Sequence, residues 1–355
     1  MKYARNLNGI HLIGIGKLMK YDERNCLNII EIKLTMDITS FYSNSMLDIP
    51  SDPTSFISLF SGCGGMDLGF IGGFSFLGKQ YSKTGFIPVW ANEISPAACR
   101  TYRQNIGEIA EGDIRRVFDQ MPEYADVVIG GFPCQDFSIN GKMKGLNGEK
   151  SILYEWMVKA VDRIRPKAFV AENVGSLLMD RHREACERIL SDFQGLGYNV
   201  SLGRYRAEWY GVPQTRDRVL IVGTAKGIPA FVQPAPVTAD CPLTAFDALH
   251  DLEDRDEDPA FAHVWSRKKL GGDQGSRILK ADRPGYTVMA ECHGNSPFHY
   301  SLPRRISLRE QARIQSFPDT FVFPCGIRET ERQIGNAVPP VLAWHAAMAL
   351  KKCLV

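Results

Sequence analysis

The chain of 355 residues lacks the features that most directly reveal a function. Its nine cysteines are scattered, with no Cys-x-x-Cys pair and no Cys/His cluster at zinc-knuckle spacing, so no metal site is expected. A zinc deaminase is disfavoured for the same reason. No apolar run approaches the roughly 18 residues of a membrane span, and no basic-then-apolar leader is visible. A reduced cytoplasmic compartment is therefore expected. Charge of one sign is also missing: 42 Lys and Arg face 40 Asp and Glu, a formal +2. Any nucleic-acid surface has to be a local basic patch, not a property of the whole chain.

With 44% hydrophobic residues, the chain can bury one substantial core and a second smaller one. Residues 1–50 fit neither: Ile29–Leu34 alternates like a short strand, but glycines, polar residues and Pro50 surround it, so this stretch reads as an extension or linker. Order begins at Phe56–Phe60, a short apolar strand running into Ser61-Gly62-Cys63-Gly64-Gly65. Glycines after a buried strand permit a sharp turn and close approach of a ligand to backbone. The spacing matches neither GxGxxG nor a phosphate loop, and alone it can equally be a plain strand-to-helix junction.

Later strand ends carry polar groups in the same way. Ile87–Trp90 ends at Asn92-Glu93, Asp113 follows a candidate third strand, and Val127–Ile129 delivers Gly131-Phe132-Pro133-Cys134. A small buried cysteine is the commonest intracellular fate. The constrained Phe132-Pro133 approach, and the polar, glycine-rich stretch after it with Lys142 and Lys144, favour a cleft instead, with the stretch as a phosphate-contacting lid. Ile152–Ile164 and Arg181–Gly195 read as helices around the strand Ala168–Ala171, which empties into Glu172-Asn173-Val174. Arg216 and Arg218 alternate just before the strand Val219–Gly223 and share a face if the segment is extended. Ligand groups gather at carboxyl ends of strands in such sheets, so Cys134 and Glu172 are expected to be neighbours.

A thiolate, a carboxylic acid, an arginine and a nucleoside-like pocket together address one chemical problem. Carbon 5 of cytosine is too weak a nucleophile to accept a methyl group until a thiolate adds at carbon 6 and charge developing at N3 and O2 is stabilised. Glu172 suits N3 and the exocyclic amine, and Arg216 suits O2. A base inside a duplex cannot reach such a pocket without leaving the stack.

These blocks resemble the DNA cytosine-5 methyltransferase family of the bacterial restriction-modification type, over about Phe56 to Ala347. The matching pieces are Phe60–Gly65, Pro133-Cys134-Gln135 with Phe137-Ser138, Glu172-Asn173-Val174, Gln214-Thr215-Arg216-Asp217-Arg218, Arg309–Pro318 and Gln333–Pro340. The resemblance implies an α/β, Rossmann-like S-adenosylmethionine-dependent domain with a mixed sheet, plus a smaller irregular target-recognition domain. The implied division is 51–226 catalytic, 227–325 target recognition and 326–355 returning to the catalytic domain. It implies S-adenosylmethionine held by Phe60, Gly62, Gly64, Gly65, Glu93, Asp113, Ile114, Pro133, Leu153 and Asn336. Its catalytic set is Cys134, Glu172, Arg216 and Arg218. Double-stranded DNA would meet Gln135, Ser138, Lys142, Lys144, Gln214, Tyr286 and Thr287. His293, Asn295 and His299 either read bases or stabilise a loop, and Arg309 and Glu310 are expected to be structural. The acidic run Asp251–Asp258 is expected to face away from DNA. A monomer is expected, with a restriction endonuclease acting on the same site but not stably bound. The alternatives are a transfer-RNA enzyme of the same fold, whose Cys-Phe-Thr element is missing here, and a catalytically silent DNA-binding homologue.

Overall fold

The computed structural model describes residues 53–133, 153–269, 277–290 and 296–354, together with the backbone of two short strands near the amino terminus. Those two, β1 (Met19–Lys20) and β2 (Asn28–Ile29), pair antiparallel within a unit spanning Met1–Asp37. The expected strand Ile29–Leu34 thus meets the structure only at Ile29; the rest of it lies outside the described residues. Ile38–Val355 forms the second unit.

Among the described residues nine further strands follow: β3 (Thr54–Leu59), β4 (Phe74–Phe76), β5 (Lys79–Tyr81), β6 (Phe86–Glu93), β7 (Ala110–Glu111), β8 (Val127–Gly131), β9 (Ala168–Val174), β10 (Asn199–Arg206) and β11 (Asp217–Thr224). The helices are α1 (Gly65–Ile71), α2 (Pro96–Asn105), α3 (Ile114–Val117), α4 (Leu153–Ile164), α5 (Arg183–Gly195), α6 (Ala245–Leu249), α7 (Leu308–Ile314), α8 (Ile327–Asn336) and α9 (Pro340–Leu354). Seven strands make one mixed sheet in the order β10-β11-β9-β8-β3-β6-β7. β7, β6, β3, β8 and β9 run parallel, whereas β11 and β10 add antiparallel at one edge. The expected α/β fold with a mixed sheet is what forms.

Residue alternation explains the layers. Phe56, Val127, Ile129, Val170, Leu220 and Val222 point to one face, where Phe70 of α1 and Val341, Leu342 and Leu350 of α9 cover them. Ile57, Leu59, Val128, Phe169, Val219 and Ile221 point to the other, against Met157 and Val161 of α4 and Ile189 and Phe193 of α5. The central strands β3, β8, β9 and β11 are apolar on both faces because helices cover both. Full burial of each such side chain is worth about 1.5–3 kcal/mol, so these two layers dominate the rigidity of the sheet that carries the site.

A third cluster includes Leu249, Leu279, Ile306, Phe317 and Ile334, and it also takes in Cys63 from the loop after β3. Helix α7 opens with a capping box, Ser307 and Glu310 exchanging bonds with each other's backbone. Glu310 also pairs with Arg304 at 2.7 Å, while Arg309 donates to the carbonyls of Phe261, Pro318 and Phe321. Both residues are structural, as expected. Within the acidic run Asp251 accepts from Arg313 at 3.0 Å and Asp258 from Arg255 at 2.8 Å, while Asp254, Asp256 and Glu257 are exposed. No helix among the described residues is long and apolar enough to cross a membrane.

Candidate active site

The carboxyl ends of β3, β6, β8 and β9 open into one cavity of about 550 Å³, within the ~300–1,000 Å³ usual for small-molecule sites. Phe60, Ile114, Pro133 and Leu153 supply apolar walls, Glu93 and Asp113 supply carboxylates, and Glu172 and Arg218 line it as well. Parallel pairing of β8 with β9 and of β3 with β6 and β8 brings these widely separated residues together.

At the β3 end, Phe60 adopts φ 55°, a left-handed conformation uncommon outside glycine, and its ring packs beside the α4-side core. Strain of this kind persists where surrounding structure over-determines it. Glu93 receives the backbone N–H of Gly62 at 3.0 Å on one oxygen and that of Ser95 at 2.8 Å on the other. Burial pushes its pKa up, opposed by those bonds. Asp113 caps α3 by accepting from the Arg115 N–H at 3.0 Å, and the Arg115 side chain holds its carboxyl below the usual range. Asn92 donates to the carbonyls of Ala110 and Gly112 at 3.0 and 2.9 Å, fixing the turn that presents Asp113.

The glycines of the first loop divide in role. Gly62 faces open space in the cavity, where an added Cβ would meet nothing within 4 Å. Gly65 lines the cavity but is required by packing, because a Cβ there would lie 2.6 Å from the Val338 carbonyl. Gly64 sits against Tyr102 and Ile106 and is not among the cavity-lining residues. Its expected cofactor contact is therefore replaced by a helix-packing role. Cys63 is inert packing too: its thiol is pushed up to about 12 by burial and lies 3.7 Å from the Gln333 carbonyl.

The acid end of the cavity is built on β9 and β11. Glu172 Oε1 lies 2.7 Å from Arg218 Nε, and both side chains are only 10% exposed. Burial pushes the Glu172 pKa up, against the opposing pull of Arg218 and, more weakly, Arg216. Gly131 faces Glu172 across the β8–β9 register, and a Cβ there would meet Glu172 Oε2 at 2.9 Å. Asn173 donates to the Phe132 carbonyl at 3.2 Å, tying β9 to the chain two residues before Cys134. Asn173 carried no separate role in the sequence reading; its place directly after Glu172 was the available signal.

Arg216 does not join Glu172 at the cavity wall. It is 1% exposed and donates to the carbonyls of Val288, Gly335 and Ala337 at 2.9, 2.7 and 3.2 Å. Arg216 and Arg218 are both buried while the neighbouring Thr215 and Asp217 are not, but only Arg218 lines the cavity, because carbonyl oxygens of two distant segments take the Arg216 guanidinium. Gln214 is corrected likewise: it is fully buried, donates to the Ile314 carbonyl at 3.2 Å and accepts the Val288 N–H at 2.9 Å, so it has no surface for DNA. Thr287 is exposed and donates to the Thr215 carbonyl at 2.6 Å, with half-buried Tyr286 beside it under Arg277. His299 is buried and takes the Ser301 N–H at 3.2 Å, a loop stabiliser and not a base reader. Cys134, Gln135, Ser138, Lys142, Lys144, His293 and Asn295 lie outside the described residues. Among the described residues no group of acidic, Cys and His side chains is arranged to hold a metal.

A parallel-centred sheet with a cavity across its carboxyl strand ends defines an α/β protein of the nucleotide-cofactor-binding class. Solved structures share this fold. A protein described as a DNA modification methyltransferase encoded within an E. coli prophage aligns with TM-score 0.66 and 24% identity, over 85% of this chain and 99% of that one. The S. pombe Dnmt2 methyltransferase aligns with TM-score 0.61 and 17% identity, over 85% and 98%. Residues 54–273 and 257–352 match the C-5 cytosine-specific DNA methylase family, and the chain belongs to it. Type II methyltransferase M.NgoFVII of Neisseria gonorrhoeae is 36% identical over 333 residues, 83% of this chain and 86% of that protein. M.NgoPII of the same organism is 33% identical over 341 residues, 85% and 97%. The protein is a DNA (cytosine-5)-methyltransferase, and its family implies methyl transfer dependent on S-adenosylmethionine.

Proposed function

We propose that the protein methylates carbon 5 of one cytosine within a short specific sequence of double-stranded DNA, through a covalent adduct of Cys134 at carbon 6. The observation that carries this reading is the buried Glu172–Arg218 pair on the wall of the cavity, a carboxyl whose pKa burial pushes up, 2.7 Å from a fixed positive charge.

The cavity suits S-adenosylmethionine on its own features. An apolar slot between Phe60, Ile114 and Leu153 fits a purine ring, open space stands at Gly62, and the Glu93 and Asp113 carboxylates fit ribose hydroxyls and an adenine amine. Asn336, exposed at the far side, fits the methionine end. When bound, S-adenosylmethionine supplies an electrophilic methyl group.

The chain's own residues prepare the base. The Cys134 thiolate adds its electron pair to carbon 6, and Glu172 gives its proton to N3, so the ring gains nucleophilic character at carbon 5 without a free negative charge. Arg218, not Arg216, stabilises charge at O2 and orients Glu172. Once carbon 5 carries the methyl group, its hydrogen leaves as a proton to water or another base, that electron pair expels the thiolate from carbon 6, and N3 returns its proton to Glu172, which restores the aromatic ring. Because Asn173 anchors Phe132, the backbone entering Cys134 is fixed relative to Glu172 before substrate arrives.

The target cytosine must be rotated out of the duplex to reach this wall. Tyr286 and Thr287, with Gln135, Ser138, Lys142 and Lys144, are assigned to the DNA strand around it, and residues 227–325 to target recognition. The protein acts as a monomer in a bacterial cytoplasm, beside a companion nuclease of the same specificity. Incubation with S-adenosylmethionine and DNA, followed by base-by-base mapping of methyl groups, tests this reading. Carbon-5 methylation of cytosine in one short sequence is expected; transfer only to RNA, only to adenine, or to no nucleic acid would overturn it.

A further inference from the structure

We propose that Arg216 is a positioning residue that ties the cofactor side of the site to the DNA-facing segment, so that filling the cavity stiffens residues 285–290. The inference rests on the cofactor reading given above. Its basis is the set of atoms one guanidinium holds. Nη2 donates to the carbonyls of Gly335 and Ala337, which flank the cavity-lining Asn336 on both sides. Nη1 donates to the carbonyl of Val288, the residue after the exposed Thr287.

A second strap runs in parallel. Gln214 accepts the Val288 N–H at 2.9 Å and Gly285 donates to the Pro213 carbonyl at 3.0 Å, so the 285–288 backbone is held on the same chain that carries Arg216. The two segments also touch directly: a Cβ at Gly335 would lie 2.3 Å from the Ala290 nitrogen, so the backbones are in contact and no side chain fits between them. The planar guanidinium fork reaches all three carbonyls at fixed angles, which the single ammonium of a lysine cannot reproduce. Residues 285–290 contribute nothing to the cavity wall. A change there on cofactor binding must therefore travel through the protein, and Arg216 hydrogen-bonds directly to both segments.

The test needs no DNA and uses the full chain with S-adenosylhomocysteine as probe. Amide hydrogen exchange is followed with and without saturating probe, and probe affinity is measured by calorimetry. In the wild-type protein the amides of residues 285–290 are expected to exchange about fivefold more slowly with probe bound, a coupling at the low end of the usual range. In Arg216→Lys the segment exchanges faster in both states, and the ratio between them falls to about one, as for uncoupled sites. A purely structural arginine would raise both rates and leave the ratio intact, which would overturn the proposal. Probe binding without any slowing at 285–290 in the wild-type protein would overturn it too, and that arm depends on no variant. Failure to bind the probe at all would instead overturn the cofactor reading, and this inference with it.

Discussion

Gly131→Ala isolates the position of the proposed acid from the stability of the sheet. A Cβ at residue 131 would stand 2.9 Å from Glu172 Oε2 and 4.0 Å from Glu172 Cβ and Cδ, so the clash falls on the carboxylate tip and not on the strand. Ordinary carbon–oxygen contact requires roughly half an ångström more room. The tip cannot simply swing away, because its other oxygen is held by Arg218 at 2.7 Å. The backbone of Gly131 lies outside the left-handed region, so alanine adds no dihedral strain, and lost unfolded-state entropy gains about 0.4–1 kcal/mol. Global stability should therefore change little. A misplacement of 1 Å in a catalytic group can cost about 10²-fold, so a shift half that size should lower turnover by about tenfold. Single-turnover methylation of a duplex bearing the mapped site, with thermal melting in parallel, reads both quantities. Turnover within about twofold of wild type at unchanged melting temperature would refute the placement of Glu172 as the proton donor, since such a loss is far below the cost of a misplaced group.

Two further outcomes follow from the same geometry. Arg218→Gln removes the largest pull opposing the burial of Glu172, whose pKa is already raised. The protonated acid is the working form, so turnover falls as pH rises through that pKa, and in the variant this alkaline limb should move to higher pH while the maximum drops. A kcat–pH profile checks it, and a limb that stays put or moves down would contradict the assignment; removing one partner of such a buried pair should also cost about 3–5 kcal/mol of stability, read by denaturant unfolding. Asn173→Ala withdraws the 3.2 Å bond to the Phe132 carbonyl, leaving a buried acceptor unpaired at a cost of about 1–3 kcal/mol. Its turnover should fall while DNA affinity, measured by fluorescence anisotropy, holds; equal loss of both would mean that Asn173 does not act through the Cys134 approach.

Much of the sheet was legible because both of its faces are buried. Alternating sets such as Phe56 with Ile57, and Val127 with Val128, leave apolar runs bounded by polar tips, and those tips are the strand ends that meet at the cavity. The antiparallel edge, β11 and β10, was not legible, since the direction of a strand leaves no trace in its own residues. The two arginines show the sharper limit. Their spacing suggested two cations for one ligand, but only Arg218 lines the cavity: Arg216 is claimed by carbonyls 72, 119 and 121 residues further along, and nothing local to Gln214–Arg218 announces that. Gly64 misled for a related reason: a glycine needed to admit Tyr102 looks the same as one needed to admit a ligand.

The central claim is that Cys134 attacks carbon 6 of the target base. Duplexes carrying 5-fluorocytosine at the mapped position test it most directly, because fluorine cannot leave carbon 5 as a proton does and the adduct is trapped after methyl transfer. Incubation with S-adenosylmethionine and peptide mapping should find a stable protein–DNA bond at Cys134, lost in Cys134→Ala while DNA binding persists. A bond at another residue, or adduct formation undiminished in the Cys134 variant, would contradict the account.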